Sequence, residues 1–256
     1  WASRNRCFVR FMVRLRNQIN CIIGYSLGSN CDPSRNGEWK LQEKLGPEVR
    51  FFCDAGANRG EWTEKMLKES PVSTGILYEP EKNAYQGLQK LFQNNERIKV
   101  IEKALSNRCR SERFYVHDLQ MNSSLNTKEE SDTSYLVTVS TLDAEFENFE
   151  GVIDFLKIDV EGEDAKVIEG AMALMKIKKI RFLQFEYGPY WIQGSSFLAD
   201  AIKNLSNHGY EVFLIRENGL SPFPYNIYGE YWKYSNFFAI LSEEIGLVRD
   251  LIRDDL

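Results

Sequence analysis

The residues best suited to chemistry open with Asp54-Ala-Gly-Ala-Asn-Arg-Gly60. Gly56 and Gly60 permit a tight turn and let a ligand approach bare backbone. If the loop runs into a helix at Glu61, the free N–H groups of its first turn suit a carboxylate. Glu79, followed by Pro80, lies 25 positions beyond Asp54. There, nucleotide-binding α/β folds place an acid that accepts hydrogen bonds from both ribose hydroxyls. A dinucleotide loop would read G-x-G-x-x-G. Counted from Gly56, this chain puts Asn58 at the second glycine and Glu61 at the third. S-adenosylmethionine fits better, because it has no pyrophosphate and carries an ammonium group that Asp54 would neutralise directly or through water. The competing reading is a plain strand-to-helix turn, shaped by Gly56 and Gly60 and capped by Asp54.

A second group follows the apolar run 153–158, where Lys157, Asp159 and Glu161 alternate and so point to one side of a strand. Asp159 and Glu161 are then candidate general bases for a hydroxyl proton. With Glu186 they are also candidate ligands for a hard cation, magnesium or calcium, that would lower the hydroxyl's pKa. The structural alternative pairs Lys157 with a carboxylate at a capped turn. His117 and Asp118 offer a base from another strand end.

The elements that must position these residues alternate. Apolar runs at 49–53, 75–78, 98–101, 153–158, 180–185, 212–215 and 237–241 read as strands. Helical patterns fall at 61–68, 81–93, 164–175 and 197–206. This alternation predicts an α/β fold with a mostly parallel sheet and helices on both faces. Residues 113–116 and 135–139 read as two further strands flanking a polar loop, 120–134, that suits a lid. Tyr187-Gly-Pro-Tyr-Trp191 and the aromatic stretch 223–234 either stack on sugar faces or pack the domain; both readings stand.

The first 31 residues differ from the rest, with five arginines and no acid. Residues 4–23 predict a cationic amphipathic helix that lies on a membrane surface or packs on the domain. The expected division is a helical segment and linker at 1–45, with 31–37 as a turn, and one domain at 46–256. A formal charge of −5 argues against broad attraction to nucleic acid. No apolar run approaches the ~18 residues of a membrane span. Five cysteines without a C-x-x-C pair fit a reducing compartment, hence a cytoplasmic protein, membrane-peripheral if the helix binds lipid. The chain starts at Trp1 rather than Met, so an upstream anchor would not show.

In order along the chain, Asp54-Ala-Gly-Ala-Asn-Arg-Gly-Glu61, Glu79-Pro80, Lys103-Ala-Leu-Ser106, Ser123-Ser-Leu125, Thr141-Leu-Asp143, Phe155-Leu-Lys-Ile-Asp-Val-Glu-Gly162 and Phe185-Glu186 resemble the FkbM family of methyltransferases. The likeness covers roughly residues 49–187. It implies a Rossmann-like class I methyltransferase fold of seven strands, the last antiparallel. It also implies O-methylation of a sugar or glycoconjugate, with a polyketide, peptide or small metabolite as the alternative acceptor. A non-catalytic binding domain of the same fold is the remaining alternative. By the resemblance, Asp54, Gly56, Ala57, Asn58 and Gly60 with Glu61 would hold the methionine part, and Glu79 with Pro80 the ribose. Ala104, Leu105 and Ser106 would border the adenine, and Ser124 would face the cofactor from the lid.

Overall fold

The computed structural model describes residues 6–27, 30–116 and 133–254. The expectations for His117, Asp118, Ser123, Ser124 and most of the lid fall outside the described residues.

Helix α1 (Arg6–Ser26) precedes the short α2 (Pro33–Asn36) and α3 (Glu38–Leu45). Then come β1 (Phe51–Ala55), α4 (Glu61–Glu69), β2 (Thr74–Tyr78), α5 (Lys82–Leu91) and β3 (Ile98–Ile101). Three strands follow, β4 (Ala104–Leu105), β5 (Arg110–Val116) and β6 (Thr133–Ser140), and then α6 (Leu142–Glu145). The second half holds β7 (Ile153–Ile158), α7 (Asp164–Glu169), α8 (Met172–Lys176), β8 (Ile180–Tyr187) and α9 (Leu198–Asn207). It closes with β9 (Tyr210–Arg216), β10 (Gly219–Pro222), α10 (Tyr225–Tyr228) and β11 (Ser235–Leu241).

The main sheet runs β10-β9-β11-β8-β7-β1-β2-β3. Strands β3, β2, β1, β7 and β8 are parallel, and β11 is antiparallel to both β8 and β9. This is the expected class I methyltransferase architecture with one strand more. The eighth strand exists because a two-residue turn folds β10 back on β9, pairing Gly219 with Arg216. Strands β4, β6 and β5 form a separate small sheet.

Three local expectations change. Residues 31–45 are not a linker: Asp32 caps α2 by accepting from the Ser34 amide, and Leu41 and Leu45 of α3 are buried in the core. The single helix expected at 164–175 breaks into α7 and α8 around Gly170, which packs so tightly on Ser106 that a Cβ there would lie 2.2 Å from its carbonyl oxygen. Part of 223–234 coils into α10.

Apolar layers cover both faces of the sheet. On one face Phe52, Phe155, Phe182 and Phe238 meet Trp62 of α4 and Leu41 and Leu45 of α3. On the other, Leu156, Ile158, Leu183 and Phe185 meet Val167, Ile168, Leu174, Leu198 and Leu205. Each such side chain contributes about 1.5–3 kcal/mol by burial. The sheet is therefore a rigid platform.

Candidate functional site

On the first of those faces the chemistry changes along the strands in steps of two residues. Phe52 stands beside Phe155, and Phe155 beside Phe182. One step toward the carboxyl ends, Asp54 stands beside Lys157, and Lys157 beside Gln184. A further step reaches Asp159 and Glu186, with Asn236 opposite Glu186 on β11. The face thus passes from aromatic to ion-paired to acidic, and its acidic end lies where open α/β sheets bind ligands.

The loop after β1 wraps that end. Gly56 and Ala57 donate to the Tyr78 carbonyl at 2.9 and 3.2 Å, and Gly60 closes the turn on the Ala57 carbonyl at 2.8 Å. Gly56 has φ 79°, and a Cβ on it would lie 1.8 Å from the Asp159 carbonyl oxygen. Glycine is therefore required here by the neighbouring end of β7. Asn58 also takes a left-handed φ of 47°, which asparagine tolerates better than most residues. Its amide donates to Glu79 Oε2 at 2.7 Å, while the Glu81 amide donates to Oε1 at 2.8 Å. Burial outweighs these two bonds and raises Glu79 to about 7. Each carboxylate oxygen has a second lone pair available for a hydroxyl donor.

Asp54 is wholly buried beneath the loop. Its Oδ2 accepts from the Thr63 hydroxyl at 2.7 Å, and Oδ1 has no hydrogen bond but faces Lys157 Nζ at 3.6 Å. Burial raises its pKa. Glu61 is exposed at the first position of α4. The Pro80 carbonyl accepts from the Tyr135 hydroxyl at 3.2 Å, so β6 braces the end of β2. Ala104, Leu105 and Ser106 are buried, and the Ser106 hydroxyl is committed to Glu163 Oε2 at 2.7 Å.

The acids differ sharply in protonation. Lys157 Nζ lies 3.1 Å from Asp159 Oδ2. Burial opposes ionisation of Asp159, but the Lys157 charge and hydrogen bonds from Glu186 and Lys157 hold its pKa below the usual range. Glu186 is pushed well above its usual value by burial and by the charges of Asp159, Glu161 and Asp164. Its surroundings therefore favour the protonated form, which hydrogen-bonds to Asp159. Glu161, at φ 52°, is raised to about 9 by burial and by Asp159. Of the three, Asp159 is the one whose surroundings favour the ionised form.

The cation reading finds no support. Among the described residues, no group of three or more His, Cys, Asp or Glu side chains is placed to hold a metal ion. Asp159 and Glu186 instead hydrogen-bond to each other.

Glu38 is a site residue that sequence reasoning missed. It enters from α3, buried, and accepts from Gln184 Nε2 at 2.6 Å, Asn236 Nδ2 at 2.8 Å and Asn36 Nδ2 at 2.5 Å. Burial raises its pKa, and the Lys157 charge opposes the rise. The helical spacing of Leu41, Gln42 and Leu45 was the available signal. Of the aromatic stretches, Tyr187 and Trp191 are fully buried and serve packing. Tyr187 donates to Glu230 at 2.9 Å, and Trp191 to the Glu186 carbonyl at 3.0 Å. Tyr234 is half-buried, and its hydroxyl accepts from Asn236 at 3.0 Å beside the acids. A separate cavity of about 220 Å³ beside α7 and α9, lined in part by Lys166, Ser196 and Asp200, contains none of these acids.

The family model for the methyltransferase FkbM domain matches residues 54–212. No curated protein matches the chain. Among solved structures, the chain is similar to the methyltransferase FkbM from Methylobacillus flagellatus KT, at 15% identity and TM-score 0.47, over 75% of this chain and 44% of that one. The fibrillarin pre-rRNA processing protein of Methanococcus jannaschii has 11% identity and TM-score 0.47, over 82% and 76%. Aeropyrum pernix fibrillarin, solved with natively bound S-adenosyl-L-methionine, has 12% identity and TM-score 0.42, over 86% and 74%. The chain spans less than half the length of the first of these proteins.

Proposed function

The chain belongs to the FkbM methyltransferase family, and from that premise we propose that it methylates a hydroxyl of a sugar or glycoconjugate with Asp159 as the base. The carrying observation is the placement of Asp159 at the acidic end of the sheet, 3.1 Å from the Lys157 ammonium that holds its pKa low. S-adenosylmethionine, when bound, supplies a methyl carbon on a sulfonium that an oxygen displaces in line. Its fit is supported by the Gly56 cradle and by the two free acceptor directions of Glu79. Asp159 takes the proton of the attacking hydroxyl, and Lys157 holds Asp159 in place and ionised. Glu186 keeps its own proton and orients Asp159 through their hydrogen bond. Tyr234, half-buried beside the acids, offers an aromatic face that suits a sugar, while Asn236 and Gln184 are committed to Glu38.

Turnover of tritium-labelled cofactor against free glycans, lipid-linked glycans, phenols and peptides tests the acceptor class. Transfer to phenols or peptides alone would replace the sugar reading. A purified protein that bound neither the cofactor nor its demethylated product would end the transferase reading. Asp159→Asn should spare cofactor binding and slow turnover by roughly 10²–10⁴-fold. Were Glu161 the base instead, the parent's rate would climb as pH rises toward about 9. With Asp159 the rate at saturating cofactor is level across neutral pH.

A further inference from the structure

Helix α1 is exposed at every residue from 6 to 22. At ~100° per residue, Phe11, Met12, Leu15, Ile19 and Ile22 share one side within about 100° of arc. Phe11 is 60% exposed and Ile22 70%. Arg6 and Arg10 occupy the opposite side, and Arg14 and Arg16 the two flanks. A stripe of this kind on a globular surface marks a binding face. No helix among the described residues is long and apolar enough to cross a membrane.

Charge identifies the occupant. The first 31 residues hold five arginines and no acid, whereas the remaining 225 hold 27 basic and 37 acidic side chains. Two copies of α1 packed stripe to stripe would gather eight arginines without one carboxylate between them. Anionic headgroups supply the missing counter-charge while the acyl boundary takes the apolar stripe. The root of the helix is fixed in the domain. Leu27 is fully buried, and its carbonyl accepts from Ser235 Oγ at 3.2 Å. Ser235 stands opposite Tyr187, next to the Asn236–Glu186 pair.

We propose that α1 lies in the surface of an anionic lipid bilayer and holds the acidic end of the sheet toward acceptors at that surface. The second half rests on the transferase reading; the docking does not.

Flotation of the full chain with phosphatidylcholine vesicles containing 30% phosphatidylglycerol tests the docking. The chain should float with these vesicles at low salt and at least roughly tenfold less with pure phosphatidylcholine. The double variant Arg10→Gln/Arg14→Gln should bind roughly 30-fold more weakly. Ile19→Glu should lose binding at low and high salt alike, with cofactor affinity unchanged in both variants. Absence of flotation would overturn the docking. So would a lipid-free dimer, seen by sedimentation, that Ile19→Glu dissociates. Transfer to a lipid-linked glycan on the same vesicles should exceed transfer to the free glycan, and equal rates would overturn the orientation. Loss of cofactor binding in the parent, by contrast, would strike only the transferase reading.

Discussion

Replacing Lys157 with methionine tests the charge balance on which the site rests. The lysine side chain is 8% exposed, and its ammonium lies 3.1 Å from Asp159 and 3.6 Å from Asp54. Methionine keeps an unbranched apolar stem of similar reach and removes the charge. Breaking a buried ion pair by deleting one partner costs about 3–5 kcal/mol. Asp159 is 35% exposed, so water screens part of the loss and the low end, about 3 kcal/mol, is the better value. For a domain of this size that lowers the melting temperature by roughly 6–12 °C. The deficit also depends on pH. Without the ammonium both acids titrate above the ~3.9 of the unfolded chain, so the folded variant binds protons that the unfolded chain has released. Stability relative to the parent therefore falls as pH rises, and the deficit should be small near pH 5 and full near pH 8. Thermal melts followed by circular dichroism at both values measure it. A deficit of equal size at the two values would assign Lys157 a packing role, and no deficit at pH 8 would refute the counter-charge argument.

Glu79→Gln loses one backbone hydrogen bond and the acceptor charge, and should weaken cofactor binding by roughly 10–100-fold in calorimetry; unchanged affinity would remove Glu79 from the ribose site. Gly56→Ala drives a methyl group toward a carbonyl oxygen 1.8 Å from the ideal Cβ position at a φ of 79°, so it should both lower the melting temperature and abolish cofactor binding, and a variant that binds normally would show that the loop can move away from β7. The ligand-free parent should itself lose stability as pH rises from about 5 to 8. Glu79 and Asp164 are held at about 7 and Glu161 at about 9, so the folded chain retains protons that the unfolded chain gives up. Asp159, whose pKa is lowered, titrates below that window. A melting temperature that rises over the same range would contradict these assignments.

The parallel strands are legible in the sequence because they are buried on both faces and so read as continuous apolar runs, as in 153–158 and 180–185. The α2–α3 segment is not. Asp32, Pro33, Ser34 and Gly37 are turn formers, and the same residue types cap helices. Only the fold distinguishes the two roles. Gly37, at φ 102°, lies against Arg216, where a Cβ would stand 2.1 Å from the carbonyl oxygen, and this contact spans most of the chain. The break between α7 and α8 has the same origin, since Gly170 meets Ser106 far away in sequence. Local periodicity carries no record of such contacts.

The candidate site divides along a similar line. The loop 54–60, Glu79 and the acids after β7 are local motifs, and they stand out without a structure. Their protonation does not, because it depends on which strand lies beside which. Asp159 and Glu186 are neighbours only because β7 pairs with β8, and Lys157 reaches Asp54 only because β7 also pairs with β1. Glu38 and Asn236 lie outside the matched residues 54–212 and enter through α3 and β11. The proposed cofactor half of the site thus lies within the residues the family model matches. Part of the polar wall beside the base comes instead from segments the family model does not cover, with Tyr234 again among them. Acceptor selectivity should follow that wall, since its Asn236 and Tyr234 side can vary without disturbing the Gly56 loop, whereas a change at Glu38 also removes a charge that acts on Lys157.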